Sequence, residues 1–77
     1  MSAASTDQHL SRITIVPGVR SGQPCIRGTR VTVKDVLRWL AAGATEDEIL
    51  GDYPYLDRDD FKAVYAYASE HLDTAAR

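Results

Sequence analysis

One helix-start pattern occurs three times after residue 30, and it restricts the chain to folds with three helices. Thr32 precedes an acid at the third helical position, Asp35, and Thr45 precedes Glu48 at the same spacing. The segment Leu56–Phe61 repeats the pattern with an aspartate as the cap and an apolar residue on each side of it. Such residues satisfy the free N–H groups of a first helical turn. The sequence therefore marks three helix starts close together.

Helix ends are marked as clearly as the starts. Gly43 is typical of a left-handed residue after a helix, and Pro54 stops the second helix. We expect helices at about 33–42, 46–52 and 58–72. Each helix carries an apolar stripe that should face one shared core. The stripe residues are Val33, Val36, Leu37 and Leu40, then Ile49, Leu50 and Tyr53, then Phe61, Val64, Tyr65, Ala68 and Leu72.

The residues before the first helix predict a small β-element. Residues 13–16 alternate and are β-branched, which favours a strand, and Pro17-Gly18 fits the centre of a type II turn. Further extended pieces are expected around 24–26 and 30–31. The predicted fold is α+β and mostly α: a disordered arm (1–9), an N-terminal β-element (10–31), a trihelical helix-turn-helix domain (32–72) and a tail (73–77).

Length and composition describe one small domain. A 77-residue chain buries a modest share of its surface, and short strands leave unpaired edges, so we expect a homodimer. The single cysteine, Cys25, cannot form an intrachain disulfide and should be a small buried residue. We find neither a signal-peptide pattern nor a membrane span, and we expect a cytoplasmic protein.

Charge is distributed unevenly along the chain. Residues 1–40 hold six basic and two acidic residues, and residues 41–77 hold three basic and nine acidic ones. The basic half should face something anionic, either nucleic acid or an acidic protein surface. A solvated basic face is the plainer alternative. The candidate binding residues lie in and around segment 21–33, which holds two glycines and a proline, and they are Arg20, Arg27, Arg30, Lys34 and Arg38.

The amino-acid sequence of the third helix disfavours its binding to DNA. A helix-turn-helix presents the start of its last helix to the major groove, but here Asp57, Asp59 and Asp60 would repel phosphates. Arg58 and Lys62 remain as secondary DNA candidates. If DNA is bound, the basic β-element is the better contact surface.

Apolar residues outside the main stripes are candidates for a dimer or partner surface, although such aromatics often only flank a core. These candidates are Ile13, Ile15, Trp39 and Tyr67. The sequence holds no nucleophile–base pair, no phosphate-binding glycine loop and no metal-ligand spacing. We therefore expect a binding protein and not an enzyme, with no cofactor and no metal.

The β-element and helices resemble a known family over residues 12–70. The resemblance rests on 13–15, Pro17-Gly18, the run from Gly22 to Val31, 37–43 and 45–54, and it points to the domain of unknown function 433 family. It implies a homeodomain-like fold and a VapB-like antitoxin, paired with a PIN-like nuclease toxin from an adjacent gene. Antitoxins of this kind usually dimerise, neutralise the toxin and often repress their own operon.

Two alternatives to the antitoxin remain open from the sequence. The chain could be a stand-alone helix-turn-helix transcriptional regulator, or a dimerising adaptor that binds no DNA. For the antitoxin, Arg27 and Arg30 are expected to pair with the metal-holding carboxylates of the nuclease.

Overall fold

Residues 13–75 form three α-helices and a two-stranded antiparallel sheet, and this confirms the predicted α+β, mostly helical class. The computed structural model describes residues 9–75, with side chains described through residue 71. The elements are β1 (Ile13–Thr14), a 3-10 turn (Arg20–Gly22), β2 (Cys25–Ile26), α1 (Val33–Ala41), α2 (Glu46–Asp52) and α3 (Arg58–Ala75). Residues 1–8 of the predicted arm lie outside the described residues. His9, which we expected to end that arm, belongs to a helical turn.

The predicted caps start the helices. Thr32 accepts a hydrogen bond from the Asp35 N–H at 2.9 Å, and the Asp35 carboxylate accepts one from the Thr32 N–H at 3.2 Å. Thr45 and Glu48 form the same reciprocal pair at 3.1 and 2.8 Å. Each cap is worth about 1 kcal/mol relative to alanine. Because these bonds join residues three apart, the local sequence fixes where α1 and α2 begin.

Helix ends match the prediction for α1 and α2 but not for α3. Gly43 follows α1 with a φ of 107°, as a left-handed cap requires. Helix α2 ends at Asp52, as predicted. Helix α3 continues to Ala75, so residues 73–75 extend the helix.

The sheet is shorter than predicted. Ile13 pairs with Ile26 and Thr14 with Cys25, and Cys25 also bridges to Thr32 on its other side. The Pro17-Gly18 turn is confirmed, because the Val19 N–H donates to the Val16 carbonyl at 3.0 Å and Gly18 has a φ of 88°. Residues 15–16 stay outside the ladder. The left-handed residues 20–22 turn the chain before a partner can lie opposite Val16.

The core confirms most of the predicted stripes. Val33, Val36, Ile49, Phe61 and Val64 are buried, together with Ile26 and Val31 from the β-element and its exit. Leu37, Leu40, Leu50 and Tyr53 pack against them and are half-buried. The Leu72 side chain lies outside the described set.

Tyr65 was wrongly placed in the core. It is 40% exposed, and its hydroxyl donates to Glu46 Oε2 at 2.6 Å. Partial burial and this hydrogen bond raise the pKa of Tyr65 to about 12. Ala63 is fully buried instead, so the inward face of α3 is rotated from the predicted stripe. Asp60, at 6% exposure, lies on this rotated face and is a buried carboxylate that needs a partner.

Arg12 supplies that partner and joins the β-element to α3. Its Nη1 donates to Asp60 Oδ1 at 2.9 Å and to Asp57 Oδ1 at 3.1 Å, and its Nη2 lies 3.7 Å from Asp59 Oδ2. The hydrogen bond to Asp60 is the main cause of a raised pKa at Arg12. Asp60 also accepts a hydrogen bond from the Asp57 N–H at 3.0 Å, so one carboxylate both caps α3 and holds the β-element.

We predict that Arg12→Ala lowers the free energy of unfolding by about 1 to 3 kcal/mol, because it leaves the Asp60 carboxylate buried without its cation. Urea denaturation at pH 7 measures this loss. The control is Arg27→Ala, which removes an exposed arginine that makes no ion pair within residues 9–71. Equal stabilities of the two variants would contradict the assigned role of Arg12.

Candidate functional site

A tight turn before β2 directs Arg20 towards the start of α1. Arg20 and Ser21 have φ values of 49° and 58°, a left-handed conformation that is costly for residues other than glycine. Hydrogen bonds compensate, because Arg20 Nη1 donates to the Arg30 carbonyl at 2.8 Å and to Asp35 Oδ2 at 3.0 Å. The turn is thereby fixed against the segment that leads into α1.

Four of the five predicted binding residues meet around one groove, which we call the basic groove. It has a volume of about 520 Å³. Among the described residues, three of its cations, Arg30, Lys34 and Arg38, make no intramolecular ion pair. Its lining is Gly18, Arg20, Ser21, Gln23, Arg30, Thr32, Lys34, Asp35 and Arg38. With four cations and one carboxylate, the groove is suited to an anionic ligand.

Asp35 keeps its charge inside the basic groove. Burial by itself raises its pKa, but hydrogen bonds from the Thr32 backbone, the Arg20 guanidinium and the Thr32 hydroxyl outweigh burial and lower the pKa overall. The groove therefore contains a fixed carboxylate beside Arg20.

The structure does not bring Arg27 to the basic groove. Arg27 is exposed in the turn after β2, and its backbone N–H donates to the Arg12 carbonyl at 2.7 Å. Arg30 follows in the same turn and does line the groove. Thr29 holds that turn, because its hydroxyl donates to the Ile26 carbonyl at 2.7 Å and accepts from the Val31 N–H at 3.0 Å.

The secondary DNA candidates at the start of α3 are engaged in ion pairs. Arg58 Nη1 donates to Glu46 Oε1 at 3.0 Å, and its Nη2 contacts the Asp47 carboxylate. Lys62 Nζ lies 3.9 Å from Asp59 Oδ1. Arg58 therefore connects α3 to the start of α2. Sequence reasoning missed this role and that of Arg12, although two acidic helix starts signalled a need for nearby cations.

The predicted partner surface divides into buried and exposed parts. Trp39 stacks on Tyr53 with ring centroids 4.9 Å apart, and Tyr67 stacks on His71 at 4.0 Å. Trp39, Tyr67 and Ile13 are half-buried against the core, so they flank it as well as border the surface. Ile15 is 58% exposed and remains an open apolar residue.

An apolar groove between α1 and α3 adjoins the basic groove. It has a volume of about 400 Å³ and shares Gln23 and Lys34 with its basic neighbour. Its lining is Gln23, Pro24, Val33, Lys34, Leu37, Tyr67, Ala68 and His71. A ligand crossing both grooves would meet an apolar strip beside a row of cations.

Cys25 is buried as predicted, at 3% exposure, with its Sγ donating to the Gln23 carbonyl at 3.2 Å. Within residues 9–71, no group of three or more His, Cys, Asp or Glu side chains could hold a metal ion. No helix in the part of the chain that the structure describes is long and apolar enough to cross a membrane.

These features define a small α+β domain with an open, cation-lined groove. A family model described as "protein of unknown function (DUF433)" matches residues 13–68, and the chain belongs to this family. A crystal structure of a DUF433 member from Anabaena variabilis ATCC 29413 has a TM-score of 0.77 and 34% identity. The similarity covers 95% of this chain and 73% of that one.

A curated relative has no described function. It is the uncharacterized protein y4eO of Sinorhizobium fredii (strain NBRC 101917 / NGR234), 38% identical over 56 residues. The match covers 73% of this chain and 25% of the relative, so this chain spans about a quarter of the length of that protein.

We predict a pH-dependent stabilisation by Asp35. Its folded pKa lies below the ordinary value of 3.8, so its contribution is complete above that pH and is lost as the pH falls through the folded value. Asp35→Asn should therefore destabilise the protein at pH 7, and the difference from wild type should shrink below pH 3.8. Urea denaturation at a series of pH values measures both.

The control for this series is Glu70→Gln, which removes an exposed carboxylate on α3. The free energies of unfolding of wild type and Asp35→Asn should converge at low pH. If their difference stays constant down to acid denaturation, the stabilising role of the ionised Asp35 carboxylate is contradicted.

Proposed function

We propose that this chain is the antitoxin of a toxin–antitoxin pair, and that it neutralises a PIN-like nuclease by binding it through the basic groove. The partner would be encoded in an adjacent gene. In this role the chain is a binding module and not an enzyme. The observation that carries the proposal is the convergence of Arg20, Arg30, Lys34 and Arg38 on one groove.

The free charges of the groove fit an acidic partner. Arg30, Lys34 and Arg38 have no carboxylate partner within the described residues, so binding an anionic surface would not first require an internal ion pair to break. Metal-dependent nucleases hold their ions with clustered carboxylates. An arginine placed among such carboxylates forms strong bidentate hydrogen bonds and competes with the metal.

Arg30 is the residue best placed for such an insertion. The hydrogen bonds of Thr29 hold its turn, and Arg20 donates to the Arg30 backbone carbonyl. The Arg30 side chain is exposed. A fixed backbone with an exposed guanidinium lowers the entropy that is lost when a partner is bound.

A protein partner fits this surface better than a DNA backbone does. Protein interfaces combine an apolar centre with a charged rim, and the apolar groove that adjoins Lys34 supplies the apolar part. At the start of α3, Asp57 and Asp59 are exposed at the position of a recognition helix, which disfavours the major groove.

A DNA-binding regulator is the second candidate function, because three consecutive helices follow the basic β-element. The same groove would then contact phosphates, and affinity for the DNA upstream of the gene would fall steeply with salt. An antitoxin that also represses its operon would show both activities.

We predict that Arg30→Glu and Lys34→Glu each raise the concentration needed to inhibit the adjacent-gene nuclease by at least about tenfold, because each places a carboxylate against an acidic surface. A ribonuclease assay with purified proteins measures this. The control is Lys62→Glu, the same charge change on an exposed lysine of α3 away from the groove.

Undiminished inhibition by both groove variants would overturn the proposed site. Absence of a nuclease gene beside this one would overturn the antitoxin proposal. Salt-dependent binding to the upstream DNA without nuclease inhibition would assign the chain to the regulator class.

A further inference from the structure

The outer edge of β1 presents backbone groups that point away from the protein's own sheet. The Arg27 N–H donates to the Arg12 carbonyl, so these two residues, which directly adjoin β1 and β2, form a hydrogen-bonded pair. Successive residues of an antiparallel strand direct their N–H and C=O groups to opposite sides. Ile13 therefore directs its backbone N–H and C=O groups away from β2. Ile15 does the same if the chain stays extended after β1. Among residues 9–75, neither makes a backbone hydrogen bond on that side.

Exposed apolar residues lie next to this edge. Ile15 is 58% exposed, Val16 47% and Tyr55 62%. Val16 and Tyr55 border a groove of about 580 Å³ on the sheet face opposite the core, which Thr14 and Val19 also line. We call Thr14, Ile15, Val16, Val19 and Tyr55 the β1 surface. An open strand edge next to apolar side chains is the arrangement that templates strand pairing.

The charge pattern of the β1 surface favours a second copy of this chain as its occupant. Residues 13–16 carry no charge, so two copies of the strand pair without like-charge repulsion. The flanking cations are held within their own chain, Arg12 by Asp60 and Arg20 by Asp35. Natural edges are commonly protected by charged residues or proline, and residues 13–16, between Arg12 and Pro17, include neither.

We propose that two copies of this chain pair antiparallel along β1 around a two-fold axis at Thr14, forming a continuous four-stranded sheet. Ile13 then lies opposite Ile15 of the second copy, and the outward backbone groups of both residues form hydrogen bonds. Thr14 faces its own symmetry mate, and the exposed Ile15 and Val16 are covered. This inference goes beyond the antitoxin proposal and does not depend on it.

Sedimentation of the isolated chain over about 1 to 100 µM tests the proposal directly. We expect a monomer–dimer equilibrium, and a dissociation constant at least about tenfold weaker in Ile15→Lys and Val16→Lys, because each places an ammonium in the pairing edge. Both side chains are exposed, so folding should persist, and circular dichroism verifies it. The matched control, Ala41→Lys, adds the same charge at an exposed position of α1 and should dimerise like wild type.

A crosslinking experiment tests the register. Thr14 and its mate would form a non-hydrogen-bonded pair with Cα atoms about 4.5 Å apart, a separation that a disulfide spans. In a Cys25→Ser background, Thr14→Cys should form an intermolecular disulfide under oxidising conditions. Ala41→Cys in that background should not. Amide exchange at Ile13 and Ile15 should slow as the protein concentration rises.

A monomer throughout the concentration range would overturn the proposal. If Ile15→Lys and Val16→Lys dimerise with the same dissociation constant as Ala41→Lys, the dimer contact lies on another face. That result would also overturn the proposal. The proposal would likewise be overturned if the wild-type chain is monomeric and Ile15→Lys and Val16→Lys lose nuclease binding, because the β1 edge would then bind the nuclease. Nuclease inhibition by a monomeric Ile15→Lys variant would leave the antitoxin proposal intact.

Discussion

The hydrogen-bonded ion pair between Arg12 and Asp60 holds together two parts of the molecule that are 48 residues apart in sequence. Two strands of two residues each have little stability of their own. Asp60 is buried, and its carboxylate accepts a hydrogen bond from the Asp57 N–H at the start of α3. The same carboxylate binds the guanidinium of Arg12, the residue before β1. Because β1 is held against α3, β2 can pair with β1. The bridge between Cys25 and Thr32 then positions the residues that begin α1. The segment that lines the basic groove depends on that chain of contacts.

The basic groove illustrates how a small domain can present a charged surface without a deep pocket. Left-handed backbone at Arg20 and Ser21 brings one guanidinium to the start of α1, where Asp35 holds it. Lys34 and Arg38 are one helical turn apart on α1, so they lie on the same side of the groove. The apolar groove next to Lys34 adds a surface that a protein partner can cover.

The two proposed interfaces meet at Arg30. This residue lines both the basic groove and the groove on the outer sheet face. Pairing along β1 would therefore place a second copy close to the turn that presents Arg30. Such proximity would couple the proposed self-association to the proposed partner binding, because a shift of the turn on dimerisation would change the position of the guanidinium.

Features that depend on residues a few positions apart follow from the local sequence. The Thr32–Asp35 and Thr45–Glu48 caps and the Gly18 turn follow from local hydrogen bonds and backbone preference, so they could be predicted from the chain alone. The gathering of Arg20, Arg30, Lys34 and Arg38 was only partly predictable. Their proximity in sequence indicated a basic surface, but it did not show that Arg27 lies outside the groove that the other four share.

Packing in three dimensions determines which charged side chains remain without an ion-pair partner among the described residues. Arg12 and Arg58 find carboxylates 48 and 12 residues away, and no local pattern encodes those pairs. The rotation of α3 that buries Asp60 and exposes Tyr65 likewise depends on how the helix packs against α1 and β1. Ion pairing and burial are set by neighbours in space. The sequence therefore specified the elements, and their packing specified which side chains remain available for binding.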